Sequence, residues 1–329
     1  MKTSALLIVG VLFAFLWHAS GQETEALTLA RTIALENVRG RIDHLAADVN
    51  GQRLFVAALG NNTVEVIDLN AGRKSASIPG FSEPQGIVYL TSSDRLFVAN
   101  GGDGTCRILD GHSFKILTSV ALGGDADNVR YDQGADKIYV GYGSGGLGIL
   151  DPNTGDRLGD IKLAGHPESF RLDASGPNLY VNIPSAGHIA VVDRVKASVI
   201  ATWPLKKAKS NFPMSLDATN HRLFVGCRNP ASVQIYDSNS GRLVGDVAIA
   251  GDTDDLFFDI SQKLIYVSCG VGSLEIIQQK DADNYARQKS LPTAPGARTS
   301  LFIPELNLLC LAVPHRGSQQ AEIRIFKTK

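Results

Sequence analysis

Residues Leu54-Phe55-Val56-Ala57 form a short apolar phrase that returns six more times along the chain. The later copies read Leu96-Phe97-Val98-Ala99, Ile138-Tyr139-Val140-Gly141, Leu179-Tyr180-Val181-Asn182, Leu223-Phe224-Val225-Gly226, Ile265-Tyr266-Val267-Ser268 and Leu309-Cys310-Leu311-Ala312. Between the third residues of successive copies the spacing is 42, 42, 41, 44, 42 and 44 residues. Seven strand-like copies at this spacing predict an all-β fold, a β-propeller with seven blades.

Each repeat divides into four short strands joined by turns rich in Gly, Asp, Asn and Pro. In the third copy the predicted strands, from the innermost outward, are Asp127 to Tyr131, Lys137 to Tyr142, Leu147 to Leu150 and Leu158 to Leu163. The last copy stops after its third strand, Glu322 to Phe326, whereas the strand-like run Leu27 to Leu35 belongs to no repeat. We therefore predict four antiparallel strands per blade, with the N-terminal strand completing the last blade and closing the ring.

The first residues have the pattern of a secretory signal peptide. Met1-Lys2 precedes an apolar run from Ala5 to Trp17, and small residues follow at Ala19-Ser20-Gly21. We expect residues 1–21 to be a signal peptide and residues 22–329 to be the propeller. The expected location is periplasmic or secreted. No stable membrane insertion is expected, because no later run approaches about 18 apolar residues.

Charge and cysteine content limit the partners and the cross-links. The formal net charge is −1 with a pI near 6.7, which makes nucleic acid an unlikely partner.

Cys227 and Cys269 occupy equivalent positions in neighbouring repeats, where packed sheets lie about 10 Å apart. That separation is too large for a disulfide, whose Cα atoms must lie within about 7 Å. We expect four buried thiols and a monomeric protein.

Two recurring phrases resemble those of a known group of repeat proteins. Leu179-Tyr180-Val181-Asn182 and Leu96-Phe97-Val98-Ala99-Asn100 look like the Y-V-T-N strand of bacterial YVTN-repeat propellers. Third strands that end in an apolar residue and Asp, such as Val191-Val192-Asp193, are similar as well. The resemblance spans the mature chain and is closest to exported YncE-like proteins. It implies a seven-bladed extracytoplasmic propeller and no agreed activity.

The starts of the inner strands differ most between repeats. Because inner strands converge on the central axis, their first residues are predicted to meet at one mouth of the channel. The residues that lie 13 and 12 positions before the central strand residue include Asp43, His44, Gln85, Asp127, Asn128, Glu168, Asp254, Asp255 and Arg298. His315 and Arg316 follow the second strand of the last repeat and are predicted to reach the same mouth. These eleven residues form the predicted ligand-binding site.

Clustered carboxylates repel one another, so a fold that gathers them needs compensation. A bound cation, a cationic ligand or a nearby Arg supplies it, and Arg298 and His44 are candidates within the chain. A water-filled channel with internal salt bridges is the alternative explanation of the same residues.

Two functions remain open at this point. The first is a non-catalytic binding or scaffold protein that holds a small molecule, a peptide or a protein loop at the channel mouth. The second is a metal-dependent hydrolase resembling lactonase propellers, with a divalent cation such as calcium held by Asn128, Glu168 and Asp254. In that case His44 or a free carboxylate acts as general base. The sequence has no Gly-x-Ser-x-Gly elbow, phosphate loop or His-Glu-x-x-His motif, and catalytic residues are not assigned.

Overall fold

A computed structural model describes residues 26–329, and the predicted signal peptide, residues 1–21, lies outside them and stays a prediction. Within residues 26–329 the chain forms 28 strands arranged in seven antiparallel sheets of four strands each. This arrangement confirms the seven-bladed β-propeller predicted from the repeats. The described residues contain no helix with the length and apolar character needed to cross a membrane.

The strands of blades 1 to 4, from the inside outward, are β2 (Leu45–Asp48), β3 (Arg53–Ala58), β4 (Thr63–Asp68) and β5 (Arg73–Ile78); β6 (Pro84–Leu90), β7 (Arg95–Asn100), β8 (Thr105–Asp110) and β9 (Ile116–Ala121); β10 (Ala126–Asp132), β11 (Lys137–Tyr142), β12 (Gly146–Leu150) and β13 (Arg157–Lys162); and β14 (Phe170–Leu172), β15 (Asn178–Ile183), β16 (His188–Asp193) and β17 (Ser198–Pro204). Those of blades 5 to 7 are β18 (Lys209–Asp217), β19 (Arg222–Asn229), β20 (Ala231–Asp237) and β21 (Leu243–Ala248); β22 (Thr253–Asp259), β23 (Leu264–Cys269), β24 (Ser273–Gln279) and β25 (Tyr285–Pro292); and β26 (Thr299–Ile303), β27 (Leu308–Val313), β28 (Glu322–Thr328) and β1 (Leu27–Ala34). Short 3₁₀ turns occur at Leu59–Asn61, Pro184–Ala186 and Pro304–Leu306.

The N-terminal strand closes the ring as predicted. Strand β1 pairs antiparallel with β28, from Leu27 opposite Thr328 to Ala34 opposite Glu322. Blade 7 therefore combines one strand from the start of the chain with three from its end. This pairing supplies the outer strand that the last repeat lacks and satisfies backbone groups of β28 that would otherwise be free.

The core lies between the blades. Seven apolar clusters are found among the described residues, one at each interface between neighbouring blades. In β11, Ile138 and Val140 pack with blade 2, whereas the intervening Tyr139 packs with blade 4. Both faces of the second strand are therefore buried, which explains why the first three residues of the repeated phrase are apolar or aromatic in every copy. All four cysteines are buried and free, as predicted.

The aspartates that end the third strands stabilise the turns to the outer strands. Asp110 Oδ1, for example, accepts the backbone N–H groups of His112 and Ser113 at 3.2 and 2.7 Å. Hydrogen bonds from Ser113 hold the pKa of the Asp110 carboxyl below its ordinary value. In blade 6, where Gln278 replaces this aspartate, Asp281 accepts the corresponding N–H groups of Asp283 and Asn284. The turn of blade 6 is therefore stabilised by an aspartate that stands three residues later in the chain than in blades 1 to 5.

A β-bulge interrupts the inner strand at one repeat position in six blades. In blade 3, Ala126 pairs with Tyr142 and Val129 with Val140, so that Asp127 and Asn128 together face Gly141. In blade 1, Asp43 N–H donates to Ala57 O while Ala57 N–H donates to His44 O. The equivalent bulges in blades 2, 4, 5 and 6 contain Gln85-Gly86, Glu168-Ser169, Phe212-Pro213 and Asp254-Asp255. Each bulge turns two successive side chains out of the regular alternation at the start of an inner strand.

The bulges of neighbouring blades approach each other closely. A Cβ atom built on Gly86 would lie 2.1 Å from the backbone oxygen of Asp127 and 2.8 Å from the backbone nitrogen of Val129. Backbone atoms cannot move aside as the end of a side chain can, so blade 2 needs glycine at this position.

We predict that Gly86→Ala lowers the free energy of unfolding by about 1–3 kcal/mol, because the added methyl group overpacks the contact between two inner strands. The matched control is Gly159→Ala in β13, where the nearest atom to the added Cβ lies 4.0 Å away. Chemical denaturation of the two variants measures the difference. Equal stability of Gly86→Ala and the wild type would contradict the close approach.

Candidate functional site

A polar cavity of about 230 Å³ opens at the end of the channel where the inner strands begin. All seven blades contribute to it. The lining residues are Arg41, Asp43, His44, Gln85, Asp125, Asp127, His166, Glu168, Phe212, Arg228, Asp254 and Arg298. Seven of them were predicted from the repeats: Asp43, His44, Gln85, Asp127, Glu168, Asp254 and Arg298. The structure brings these seven together, and the binding of a ligand by them stays a prediction.

Two predicted residues lie deeper than the mouth. Asn128 Oδ1 accepts a hydrogen bond from Arg130 Nη2 at 2.8 Å, and Asp255 Oδ2 accepts the backbone N–H of Ser300 at 2.8 Å. Neither lines the mouth cavity. Each is the second residue of its bulge, and its partner in the bulge, Asp127 or Asp254, is the one that faces the mouth.

His315 and Arg316 do not line the cavity either. Their loop is a small hairpin in which the backbone groups of Arg316 and Gln319 pair with each other. The side chain of Gln319 donates to Pro295 O and Pro314 O, at 3.1 and 2.6 Å. The bond to Pro295 holds the hairpin against the loop that connects blade 6 to blade 7. The position of a loop on the correct face was therefore not sufficient to bring its side chains to the axis.

Five lining residues are not among the eleven predicted ligand-binding residues, although the repeat count itself places Phe212 at the mouth and the loop after a second strand places Arg228 there. Arg41, Asp125 and His166 each stand two positions before a predicted residue, in blades 1, 3 and 4. Side chains two residues apart in an extended chain point to the same side, which is the signal that would have found them. Phe212 occupies the same repeat position as Asp43 in blade 5, and Arg228 follows the second strand of that blade.

His44 lies among three carboxylates that come from three different blades. Its Nε2 is 3.6 Å from Asp43 Oδ1 and 4.0 Å from Asp127 Oδ1, and its Nδ1 is 3.6 Å from Asp255 Oδ2. Burial alone would lower the pKa of His44, but the charges of Asp255, Asp43 and Asp127 raise the pKa to about 10. The side chain is therefore an imidazolium at neutral pH and supplies a positive charge inside the channel.

A second histidine, His166, lies beside the other carboxylate oxygen of Asp127. His166 Nδ1 lies 2.6 Å from Gly143 O, and its Nε2 lies 3.8 Å from Asp127 Oδ2. Burial works to lower the pKa of His166, yet Asp127, Gly143 O and Asp125 raise it to about 9. Asp127 thus lies between two imidazolium groups.

Two arginines clamp Asp254. Arg228 Nη2 donates to Asp254 Oδ1 at 2.6 Å, and Arg298 Nε lies 2.9 Å from Asp254 Oδ2. Arg298 also donates to Asp252, and the guanidinium of Arg228 lies 3.5 Å from the ring centroid of Phe212. Burial still raises the pKa of Asp254 to about 6 in spite of both arginines. The carboxylate is paired, but it sits where a negative charge is poorly solvated.

Glu168 differs from the other acidic residues of the mouth. Within the described part of the chain its carboxyl group has no hydrogen bond and no ion pair within 4.0 Å, although it lines the cavity. Burial, followed by the charges of Asp127 and Asp254, raises the pKa of Glu168 to about 8. At neutral pH this carboxyl group therefore holds a proton and faces the cavity without a partner.

Two of the three predicted metal ligands, Asn128 and Asp254, have other partners in the structure, and their binding of a metal stays a prediction. Asn128 bonds to Arg130 and Asp254 is held by Arg228 and Arg298, so their oxygens are already engaged. A different group has ligand atoms within 4.8 Å of one another, namely Asp43, His44 and Asp127. Because this set includes a ring nitrogen, it suits a transition metal or zinc better than calcium, which prefers oxygen ligands.

Comparison with known proteins defines the class of the fold. No known family description matches the chain, and no curated protein matches its sequence. The fold is similar to a chain from the crystal structure of the mitotic checkpoint complex, with a TM-score of 0.79 and 14% identity over 99% of each chain. It is also similar to a chain of Kuenenia stuttgartiensis hydrazine synthase, with a TM-score of 0.77 and 12% identity over 89% of this chain and 97% of that one. At these identities the likeness shows the β-propeller fold alone.

We predict that Glu168→Gln is stabilising only at high pH. The carboxyl has a raised pKa in the folded state, so its contribution to stability is complete below its ordinary pKa and is lost as the pH rises through about 8. The neutral amide avoids this loss, and the variant should gain about 1–3 kcal/mol over the wild type between about pH 5 and pH 9.

Denaturation with urea at both pH values measures this gain. Glu305→Gln, at an exposed position in the Pro304–Leu306 turn, is the matched control and should show no pH-dependent difference. A constant difference between Glu168→Gln and the wild type across the pH range would show that Glu168 has an ordinary pKa.

Proposed function

We propose that the chain is an extracytoplasmic binding protein of the YVTN-repeat type, whose channel mouth holds a small polar ligand with a positive charge. The seven-bladed fold is consistent with a binding or scaffold role. The signal-peptide pattern of residues 1–21 and the resemblance of the repeats support the location and the family.

The unpartnered carboxyl group of Glu168 is the observation that carries this proposal. The lining of the mouth cavity has equal numbers of acidic and basic side chains. The acidic ones are Asp43, Asp125, Asp127, Glu168 and Asp254, and the basic ones are Arg41, His44, His166, Arg228 and Arg298. Every acidic residue except Glu168 has an ion pair with a lining arginine or lies beside an imidazolium, so a ligand cation would pair with Glu168, and a desolvated ion pair of this kind stabilises the charged form of the carboxylate.

The dimensions of the mouth limit the ligand. A cavity of about 230 Å³ is smaller than the roughly 300–1,000 Å³ typical of sites for drug-sized molecules. An ammonium or guanidinium group fits, either in a small molecule or at the end of a Lys or Arg side chain in a peptide or protein loop. The protein is proposed to act as a monomer, since all seven blades of one chain build the site.

A metal-dependent hydrolase of the lactonase type is the second candidate, because Asp43, His44 and Asp127 have ligand atoms within 4.8 Å of one another. A cation there would polarise a lactone or ester carbonyl. In this case Glu168 is the free carboxyl group beside the site.

The test is calorimetric titration with Nα-acetylarginine amide, at about pH 6 and about pH 9. Since guanidinium keeps its charge over this range, only the protein changes. We expect the affinity to be at least about tenfold higher at the higher pH, because below a pKa of about 8 the ligand must displace the proton of Glu168. Nα-acetylcitrulline amide, a neutral analogue of the same shape, is expected not to bind.

Protein variants separate the two candidates. Glu168→Gln should reduce the pH dependence, which His166 and Asp254 also influence, and should weaken binding of the arginine derivative, whereas Glu305→Gln should change neither. Equal binding of the arginine and citrulline derivatives would refute the cation proposal. Titration with zinc and calcium chloride tests the hydrolase candidate, which requires binding that Asp43→Asn abolishes.

A further inference from the structure

The face of the propeller opposite the mouth carries a second and larger cavity, between blades 3 and 4. Its volume is about 990 Å³, and its lining includes the turn residues 133–135 at the end of β10 and Ala174, Gly176 and Pro177 after β14. Inner strands begin at the mouth and end at the opposite face, so this cavity is open to that face. Arg130 and Arg171 line it, and both also line a cavity of about 230 Å³ inside the channel.

The two arginines occupy one repeat position in neighbouring blades, ten residues before the central residue of the second strand. The residues at this position in the other blades are Ala46, Val88, Ser215, Phe257 and Leu301. A propeller needs no basic residue there, since five blades are built without one. Two adjacent blades both place a guanidinium at the wall of the same cavity.

Most hydrogen-bonding capacity of this pair is unused by the protein. Arg130 donates to Val129 O and Asn128 Oδ1, each at 2.8 Å, and Arg171 donates to Met214 O at 2.8 Å. A guanidinium has five N–H donors, so the larger part of the donors of this pair lacks a protein acceptor. Arg130 Nε is buried and has no partner at all.

Three basic side chains of the cavity have no directly paired carboxylate. The fourth, Arg194, is paired with Asp132, whereas Arg130, Arg171 and Lys137 have no carboxylate within 4.0 Å in the described part of the chain. Burial, followed by the charge of Arg171, lowers the pKa of Arg130 to about 9, and burial lowers the pKa of Arg171, although the more distant charge of Asp255 opposes both shifts. The two groups repel each other in a poorly solvated place.

An independent observation concerns Tyr139, which lines the same cavity. Its hydroxyl group is buried and has no hydrogen-bond partner. A buried tyrosine hydroxyl ordinarily has one. An acceptor atom supplied from the cavity would satisfy it together with Arg130 Nε.

We propose that this cavity binds a small molecule bearing phosphate or carboxylate groups, with Arg130 and Arg171 holding one oxyanion, Tyr139 donating to it, and Lys137 contacting a further negative group. Planar guanidinium groups bind phosphate and carboxylate oxygens in a bidentate manner. A volume near 990 Å³ accommodates a ligand of metabolite size. The site lies on the other face from the cation site proposed above and does not depend on it.

The test is a melting experiment with sodium phosphate and, in a second series, sodium citrate, with sodium chloride added to keep the ionic strength constant. We expect each anion to raise the melting temperature of the full chain by at least about 2 °C at about 20 mM, because a ligand that binds the folded state stabilises it. Arg130→Gln and Arg171→Gln should lose the shift. Tyr139→Phe should keep its stability and bind phosphate at least about threefold more weakly, since it loses one hydrogen bond.

Arg73→Gln, which removes an exposed arginine from β5, is the matched control and should respond as the wild type does. Glu168→Gln should respond normally too, which separates this site from the mouth. The single variants remain informative about folding, because removal of one of two repelling buried charges should not lower the melting temperature in buffer alone. Absence of a shift in the wild type, or an equal shift in Arg130→Gln, would overturn the proposal. A shift with only one of the two anions supports it and identifies the oxyanion.

Discussion

The β-bulge at the start of the inner strand is the constraint on which the rest of this structure depends. In six blades two successive residues face one residue of the second strand, so that both leave the regular alternation. The first faces the mouth, as Asp127 does, and the second faces the channel or the next blade, as Asn128 does, although His44, the second residue in blade 1, also lines the mouth cavity. Backbone hydrogen bonds fix this geometry in every case, which leaves the side chains at these positions free to differ between blades.

That freedom produces a charged channel in an otherwise uniform fold. Asp43, Asp127 and Asp255 come from three blades and meet at His44, an ion-pair cluster that no single repeat contains. Further along the inner strands, Arg130 and Arg171 stand at one repeat position and have no carboxylate within 4.0 Å in the described part of the chain. The two faces of the propeller therefore carry different sets of charged groups. The apolar clusters between blades are rigid enough to hold both groups of charges in place.

The sequence predicted the fold well because the repeated phrase follows from the burial of both faces of the second strand in each blade. A second strand buried on both faces must be apolar at its central positions, and this made residues such as Val140 and Val181 reliable reference points. Counting back from them located the bulges, since the turn between the first two strands has nearly constant length. The count could not separate Asp254 from Asp255, because a bulge, unlike a regular strand, is invisible in the residue pattern. His315 and Arg316 were misplaced for a related reason, since the bonds of Gln319 hold that loop away from the axis. The same count places Arg130 and Arg171 at one repeat position, three residues after the first bulge residue of their blades.

The central claim is that carboxylates from three blades meet at His44. Its most direct test is the titration of the His44 imidazole by NMR, with the signal assigned by its loss in His44→Gln. Since the three carboxylates around His44 belong to blades 1, 3 and 6, only a closed ring with the bulges in place raises its pKa. The predicted result is an imidazolium that persists until the pH reaches about 10 and a lower pKa in Asp255→Asn. Titration near the ordinary value of about 6.5, unchanged by Asp255→Asn, would contradict the account.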